Sequence, residues 1–246
     1  LPGVPELALL CTPPRTIAPL VRELGEMGTR AVVVYGALDA RQQQAVLDAA
    51  RPHLLRVLGT DSIGLINPHA ELNASFSPCG ARLGKLAFVS QSAALTTSVL
   101  DWAQGRGIGF SSVVSLGDQA DVDFGDMLDY LAGDPHTRAI LLYIESIKSP
   151  RKFMSAARAA ARNKPVIVVK GGRSRQWQRA AASHTGALAS SDLVYDAAIR
   201  RAGMLRVQTL QDLFGAAQAL AHLRFSPTED LVGVTNGGPA GGVAAA

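Results

Sequence analysis

Four short stretches hold residue types whose chemistry suits group transfer. His184 stands in SHTGALA, Ser183 to Ala189, where an imidazole can act as a nucleophile. Glu145 closes the apolar run Ile140 to Ile144, and a carboxylate there can accept the Nδ1 proton of an imidazole and leave Nε2 free. Ser90, Gln91 and Ser92 follow the apolar run Lys85 to Val89 and precede a helical pattern that opens at Ala93. The first backbone N–H groups of such a helix hold phosphate through unpaired donors and the helix dipole. In TNGGPAGG, Thr235 to Gly242, Gly237 and Gly238 lack the Cβ that would keep an anion off the backbone. Taken alone, each has an ordinary explanation: an exposed loop histidine, a solvated strand-end acid, a serine N-cap, a glycine turn.

Other chemistries find no pattern. His53, His69, His136 and His222 form no His-x-x-His or His-x-Glu spacing, and Cys11 and Cys79 lie far apart, so no metal site is expected. There is no Gly-x-Ser-x-Gly elbow and no Walker loop after the glycines at 237 and 238.

The elements that must position these residues alternate in type. Strand patterns at Glu6 to Leu10, Ala31 to Tyr35, Leu54 to Leu58 and Ile63 to Ile66 are separated by helical patterns at Ile17 to Met27 and Gln42 to Ala50. Asn67 to Gly84 has no apolar period and reads as a linker or crossing loop. The alternation restarts with strands at Lys85 to Val89, Phe110 to Ser115, Ala139 to Ile144 and Pro165 to Lys170. Helices are expected at Ala93 to Arg106, Asp123 to Ala132, Pro150 to Arg162, Leu193 to Ala202 and Leu210 to Leu223, and a last strand at Leu231 to Val234. Short β-rich runs between amphipathic helices predict an α/β protein of stacked, doubly wound parallel-sheet domains, with ligands at the carboxyl ends of the strands. The expected division is 1–70, a partial Rossmann-like domain without a GxGxxG turn; 71–84, a linker; 85–225, a flavodoxin-like domain; and 226–246, the start of a second such domain. The chain opens without methionine and is expected to begin inside a larger coding sequence.

Composition narrows the partners. The 246 residues are 48% hydrophobic, enough for a substantial core, and 24 basic against 20 acidic side chains leave a dispersed excess of +4. That excess predicts no nucleic-acid partner. No stretch approaches 18 apolar residues, so no membrane span is expected, and the sparse cysteines fit a cytoplasmic protein.

In their fixed order, VSQSAAL, ADVDFGDMLDYLAGDPHTRAILLYIE, AARAAARNKPVIVVKGGR, AAASHTGALASSDLVYDAAIRRAG and VTNGGPAGG resemble the ADP-forming acyl-CoA synthetases, relatives of succinyl-CoA synthetase. The resemblance spans nearly the whole chain and implies a partial CoA-binding domain followed by succinyl-CoA synthetase-like flavodoxin domains. It implies that His184 is a transient phosphohistidine and Glu145 the acid that orients it. Ser90, Gln91, Ser92 and Ala93 would form one helix start cradling the phosphoryl group, and Gly237 with Gly238 the other. Thr12, Pro13, Pro14, Asp61 and Ser62 would lie along coenzyme A. The implied reaction interconverts acyl-CoA, phosphate and ADP with carboxylate, coenzyme A and ATP. ADP/ATP and magnesium would be held by an ATP-grasp subunit or domain outside this chain, in a homo- or hetero-oligomer.

Three positions depart from the family pattern. Gly59, Thr60, Asp61 and Ser62 stand where Gly-Pro-Asn-Cys is common, Ala93 stands where a glycine is usual, and Pro239 replaces another glycine and removes a backbone donor. DWAQGRGIGF and RAGMLRVQTLQDLF also resemble the acyl-CoA-binding regulatory module fused to a GNAT acetyltransferase in certain protein lysine acetylases. That gives a catalytically silent alternative, with a scaffolding subunit of an acyltransferase as a third.

Overall fold

The computed structural model describes residues 3–172 and 192–222. His184, Gly237, Gly238, Pro239 and the strand expected at Leu231 to Val234 lie outside the described residues.

The first unit is a parallel sheet in the order β1 (Leu7–Leu10), β2 (Ala31–Val34), β3 (Arg56–Gly59). Two helices connect its strands: α1 (Pro14–Met27), which starts on Pro14 and stops at Gly28 in the left-handed region, and α2 (Ala40–Ala50). Asp39 caps α2 in a reciprocal box with Gln42. Both helices cover one face of the sheet, with Ile17, Val21, Leu24 and Val46 packed on Val32 and Val34. The opposite face belongs to a different core: Val33 and Leu58 join Val114, Leu116, Phe124 and Leu128 of the second unit.

Among the described residues that second unit is built on a seven-stranded sheet. Its parallel part comprises β6 (Leu83–Ser90), β7 (Phe110–Ser115), β8 (Ala139–Ile144), β9 (Val166–Lys170) and β10 (Leu205–Val207) in the spatial order β10-β9-β8-β6-β7. Counted from β6, this is the flavodoxin-like order 2-1-3-4-5, whose switch point lies between β6 and β8. Alternate residues sort the two faces. Ala87, Val89, Ile140, Leu142, Val166 and Val168 meet α4 (Phe124–Gly133), α5 (Pro150–Asn163) and α6 (Asp192–Arg201). Leu86, Phe88, Leu141, Ile167 and Val169 meet α3 (Ala93–Gly105) and α7 (Leu210–His222). Continuous apolar runs such as AILLYI are what a parallel strand covered on both sides requires.

The strand expected at Ile63 to Ile66 is present, but the segment expected to be a linker supplies a second strand beside it. β4 (Gly64–Asn67) and β5 (Leu72–Ser75) form an antiparallel hairpin, and β4 pairs antiparallel with β7, so both strands lie at the edge of the second sheet. LNAS, with Phe76 and Ser77 after it, does alternate apolar and polar residues, but over a stretch short enough to be passed over among the prolines, serines and asparagines around it; its pairing is the local hairpin with β4. Residues 64–67 thus pair with the second sheet, although they fall within the stretch assigned to the first domain. The three residues of β10 also escaped the sequence pattern, being shorter than the strands that a period of two can reveal.

The two units are tied directly. Beyond β7 the backbone runs beside β3: Val122 N–H bonds the Val57 carbonyl at 3.1 Å, Ala120 that of Gly59 at 2.8 Å and Asp118 that of Thr60 at 2.7 Å. Arg56 adds an ion pair to Asp121 at 2.8 Å and another to Asp126 at 3.3 Å. Among the described residues no helix is long and apolar enough to cross a membrane.

Candidate active site

The switch point places Ser90, at the end of β6, beside Tyr143 near the end of β8. Ser90 is fully buried, and its Oγ accepts the Ser92 N–H at 3.0 Å and donates to the Ser92 carbonyl at 3.1 Å, folding the chain tightly into α3. Ser92 is the N-cap, its Oγ accepting the Leu95 N–H at 3.2 Å, while its carbonyl takes the Thr96 N–H. Among the described residues the first-turn donors left over are the N–H groups of Ala93 and Ala94, at the helix start beside the strand ends. Ala93 sits in the first helical turn and is not among the residues with positive φ, so its Cβ strains nothing.

Glu145 follows β8 directly. Burial pushes its carboxyl above the ordinary value, and the charge of Lys170, the last residue of β9, partly opposes that rise. Lys170 is itself lowered by burial against the pull of Asp192 and Glu145, and its Nζ stands 4.7 Å from the centre of the Tyr195 ring. The hydroxyl of Tyr143 is pushed up to about 12 by burial and by the Glu145 charge, so it remains a neutral donor. Gly171 closes the group from below, since a Cβ there would fall 2.5 Å from Tyr143 Oη and 3.4 Å from Glu145 Cγ.

The described chain leaves this neighbourhood at Gly172 and returns at Asp192, whose charge acts on Lys170. Before the stretch that contains His184, Gly171 lies against Glu145, and after it Asp192 acts on Lys170, the cation that faces Glu145. The arrangement offers a half-buried acid, helix N–H groups without a partner among the described residues and a nearby cation, which together suit an imidazole that carries a phosphoryl group. Lys170, Tyr143 and Gly171 were not singled out from sequence, although the strand-end rule that picked Glu145 applies equally to the end of β9.

The expected coenzyme A residues lie at the carboxyl ends of the first sheet. Thr12, Pro13 and Pro14 are exposed at the start of α1, where Thr12 Oγ1 accepts from Thr16 at 2.8 Å and Pro13 serves as N-cap without a side-chain bond. Asp61 is exposed with φ of 54°. Ser62 is different: only 4% exposed, its Oγ donates to the Ser115 carbonyl at 2.6 Å and accepts the Gly64 N–H at 2.8 Å. That hydroxyl is used inside the protein. Thr60, fully buried, binds Asp118 at 3.0 Å, and the Gln43 carboxamide donates to both at 3.1 Å. Among the described residues no group of three or more metal-ligating side chains occurs.

Comparison with known proteins finds two families along the chain. A family model described as a succinyl-CoA ligase like flavodoxin domain matches residues 83–220, and one described as a CoA binding domain matches residues 2–68. The chain is 38% identical over 248 residues to the alpha subunit of an ADP-forming acetate–CoA ligase I of Pyrococcus furiosus, covering 98% of this chain and 54% of that one. It is 35% identical over 247 residues to an ADP-forming 4-hydroxybutyrate–CoA ligase of Nitrosopumilus maritimus, covering 96% of this chain and 35% of that protein. A solved structure of a Ca. Korarchaeum cryptofilum dinucleotide-forming acetyl-coenzyme A synthetase 1, in complex with phosphate and ADP, superposes with a TM-score of 0.90 at 33% identity. That match covers 98% of this chain and 53% of the other. The chain therefore spans about half, or less, of the length of these relatives. All three are named for CoA-thioester synthesis, which favours the ligase expectation over the regulatory one.

Proposed function

Because the chain belongs to the family with a succinyl-CoA ligase-like flavodoxin domain, we propose that it is the CoA-binding and phosphohistidine half of an ADP-forming acyl-CoA ligase. The observation that carries this reading is the juxtaposition of Glu145 with the start of α3 at the switch point of the sheet.

In the reaction, phosphate oxygen attacks the acyl carbonyl of the thioester, the C–S bond breaks, and coenzyme A leaves as thiol with an acyl phosphate remaining. His184 Nε2 then attacks phosphorus and the carboxylate departs. Glu145 holds the Nδ1 proton and stabilises the charge that develops on the ring. The N–H groups of Ala93 and Ala94 face the phosphoryl oxygens, as positioning and electrostatics dominate such transfers. Gly237 and Gly238 would supply the second cradle. Thr12, Pro13 and Pro14, with Asp61, line the end of the first sheet for coenzyme A. An ATP-grasp subunit or domain, with magnesium, is the partner that supplies ADP to the phosphohistidine, and assembly with it is the oligomer expected of a cytoplasmic enzyme.

The test is labelling. The complete protein incubated with magnesium and γ-labelled ATP should acquire an acid-labile, base-stable phosphoryl group that His184→Ala abolishes. Equal labelling of that variant would overturn the assignment, and a GNAT domain encoded beyond Ala246 in place of an ATP-grasp module would favour the regulatory reading.

A further inference from the structure

The side chain of Gln91 faces the acid and not the helix start. β6 and β8 pair in register as far as Ser90 and Tyr143, and the Gln91 N–H adds one more bond to the Tyr143 carbonyl at 3.3 Å. That ladder ends there, and β8 stops one residue later, at Ile144. From there the Gln91 carboxamide takes the place of a strand: its Oε1 accepts the N–H of Glu145 at 2.6 Å and that of Ser146 at 2.8 Å, while its Nε2 donates to Ser146 Oγ at 3.1 Å. Three of the four hydrogen-bonding positions of a carboxamide are thereby occupied.

We propose that Gln91 is a positioning residue: by clasping the backbone of Glu145 and Ser146 it fixes the direction in which the Glu145 carboxylate leaves the sheet, a role that rests on the phosphoryl-transfer reading above. Two features make the clasp more than a loop anchor. Gln91 sits inside the turn in which Ser90 and Ser92 bond each other, so the residue that orients the acid is covalently part of the phosphate cradle. Both acceptor positions of its oxygen are used on consecutive N–H groups, which sets the Glu145 peptide plane as well as its position. Cradle and acid move as one unit. A lateral error of about 1 Å between a nucleophile's orienting acid and its target can cost on the order of 100-fold in rate.

The experiment uses the complete protein with its ATP-grasp module and two substitutions. Gln91→Met keeps length and volume but removes the acceptor and the donor; Gln91→Glu keeps acceptor oxygens. Gln91→Met is expected to slow single-turnover labelling of His184 by about 10- to 100-fold, with coenzyme A and phosphate affinities within about twofold. The same variant should speed amide exchange at Glu145 and Ser146. Gln91→Glu should keep both amides protected and recover the transfer at high pH, with the acidic limb of its rate profile moved upward by the second carboxylate beside Glu145. A Gln91→Met protein that exposes both amides yet labels at the unaltered rate overturns the role. So does one whose labelling falls only in proportion to coenzyme A or phosphate binding. Absence of label in the unaltered protein removes the reaction itself, an outcome distinct from a Gln91 variant that labels normally.

Discussion

Gly171 lies directly against Tyr143: a Cβ on Gly171 would fall 2.5 Å from the tyrosine Oη and 2.8 Å from Cζ, closer than side chains approach one another. Its φ is not in the left-handed region, so space and not backbone strain requires glycine here. Gly171→Ala should displace the Tyr143 ring and, through the 3.4 Å contact at Cγ, the Glu145 side chain. The expected result is a stability loss of about 1–3 kcal/mol. Phosphorylation should slow more than coenzyme A binding weakens. Chemical denaturation and single-turnover labelling read the two effects separately, and an unchanged labelling rate would show that Glu145 tolerates the shift.

The raised pKa of Glu145 gives a pH dependence of definite sign. Between its ordinary value of 4.5 and the higher folded value the native state holds more protons than the unfolded chain, so stability falls as pH rises through that window. Glu145→Gln removes this dependence. Above the window it should stabilise the protein by about 0.5–1 kcal/mol, allowing for the solvent that still reaches the group, while slowing transfer. Lys170→Met, by removing the opposing cation, should move the acidic limb of the labelling rate to higher pH. Denaturation midpoints across pH and labelling profiles check both, and a Lys170→Met profile identical to that of the unaltered protein would separate Lys170 from the acid.

Ser62 offers a test between a ligand contact and an internal bond. With its Oγ between the Ser115 carbonyl and the Gly64 N–H, Ser62→Ala should cost about 1–2 kcal/mol of stability. Coenzyme A affinity, measured by calorimetry, should stay within about twofold, an expectation that follows from the fixed inward direction of the hydroxyl. A tenfold weaker affinity with stability unchanged would return Ser62 to the binding surface.

Arg56 reaches from β3 to Asp121 and Asp126, and Asp121 also accepts the Val57 N–H at 2.9 Å. Burial tends to raise the carboxyl of Asp126, but the bonds from Lys152 and the Asp123 backbone, with the Arg56 charge, hold it below its ordinary value of 3.8. Such a carboxylate contributes stability above 3.8 that is lost as pH falls through its lower folded value. Arg56→Ala, about half exposed, should cost only about 1 kcal/mol. Its signature should be proteolytic cleavage near 118–122 under conditions that leave the unaltered protein intact, and resistance equal to that protein would show that the backbone bonds and the contacts of Val33 and Leu58 hold the junction without Arg56.

The alternation of apolar runs and amphipathic helices made the parallel sheet legible, because a strand covered on both faces must be apolar throughout and a helix covered on one face must repeat every three to four residues. Strand ends could therefore be read off, and with them Glu145 and the turn at Ser90. The strand expected at Ile63 to Ile66 was legible and is β4, whereas its hairpin partner β5 and the short β10 were not read, β10 being three residues long and made by pairing with β9, distant in sequence.

By itself, the sequence determined which residues stand at the carboxyl ends of strands, because periodicity and chain direction are local properties. Direction of the side chains there was decided only by tertiary structure. Gln91, adjacent to two serines of the cradle, turns to clasp the Glu145 backbone because β8 lies beside β6 in the sheet. Ser62 turns inward because the end of β7 offers it a carbonyl. A hydrogen-bonding group follows whichever partner the fold brings within about 3 Å, and residues 54 or 53 positions apart meet only once the strands are assembled.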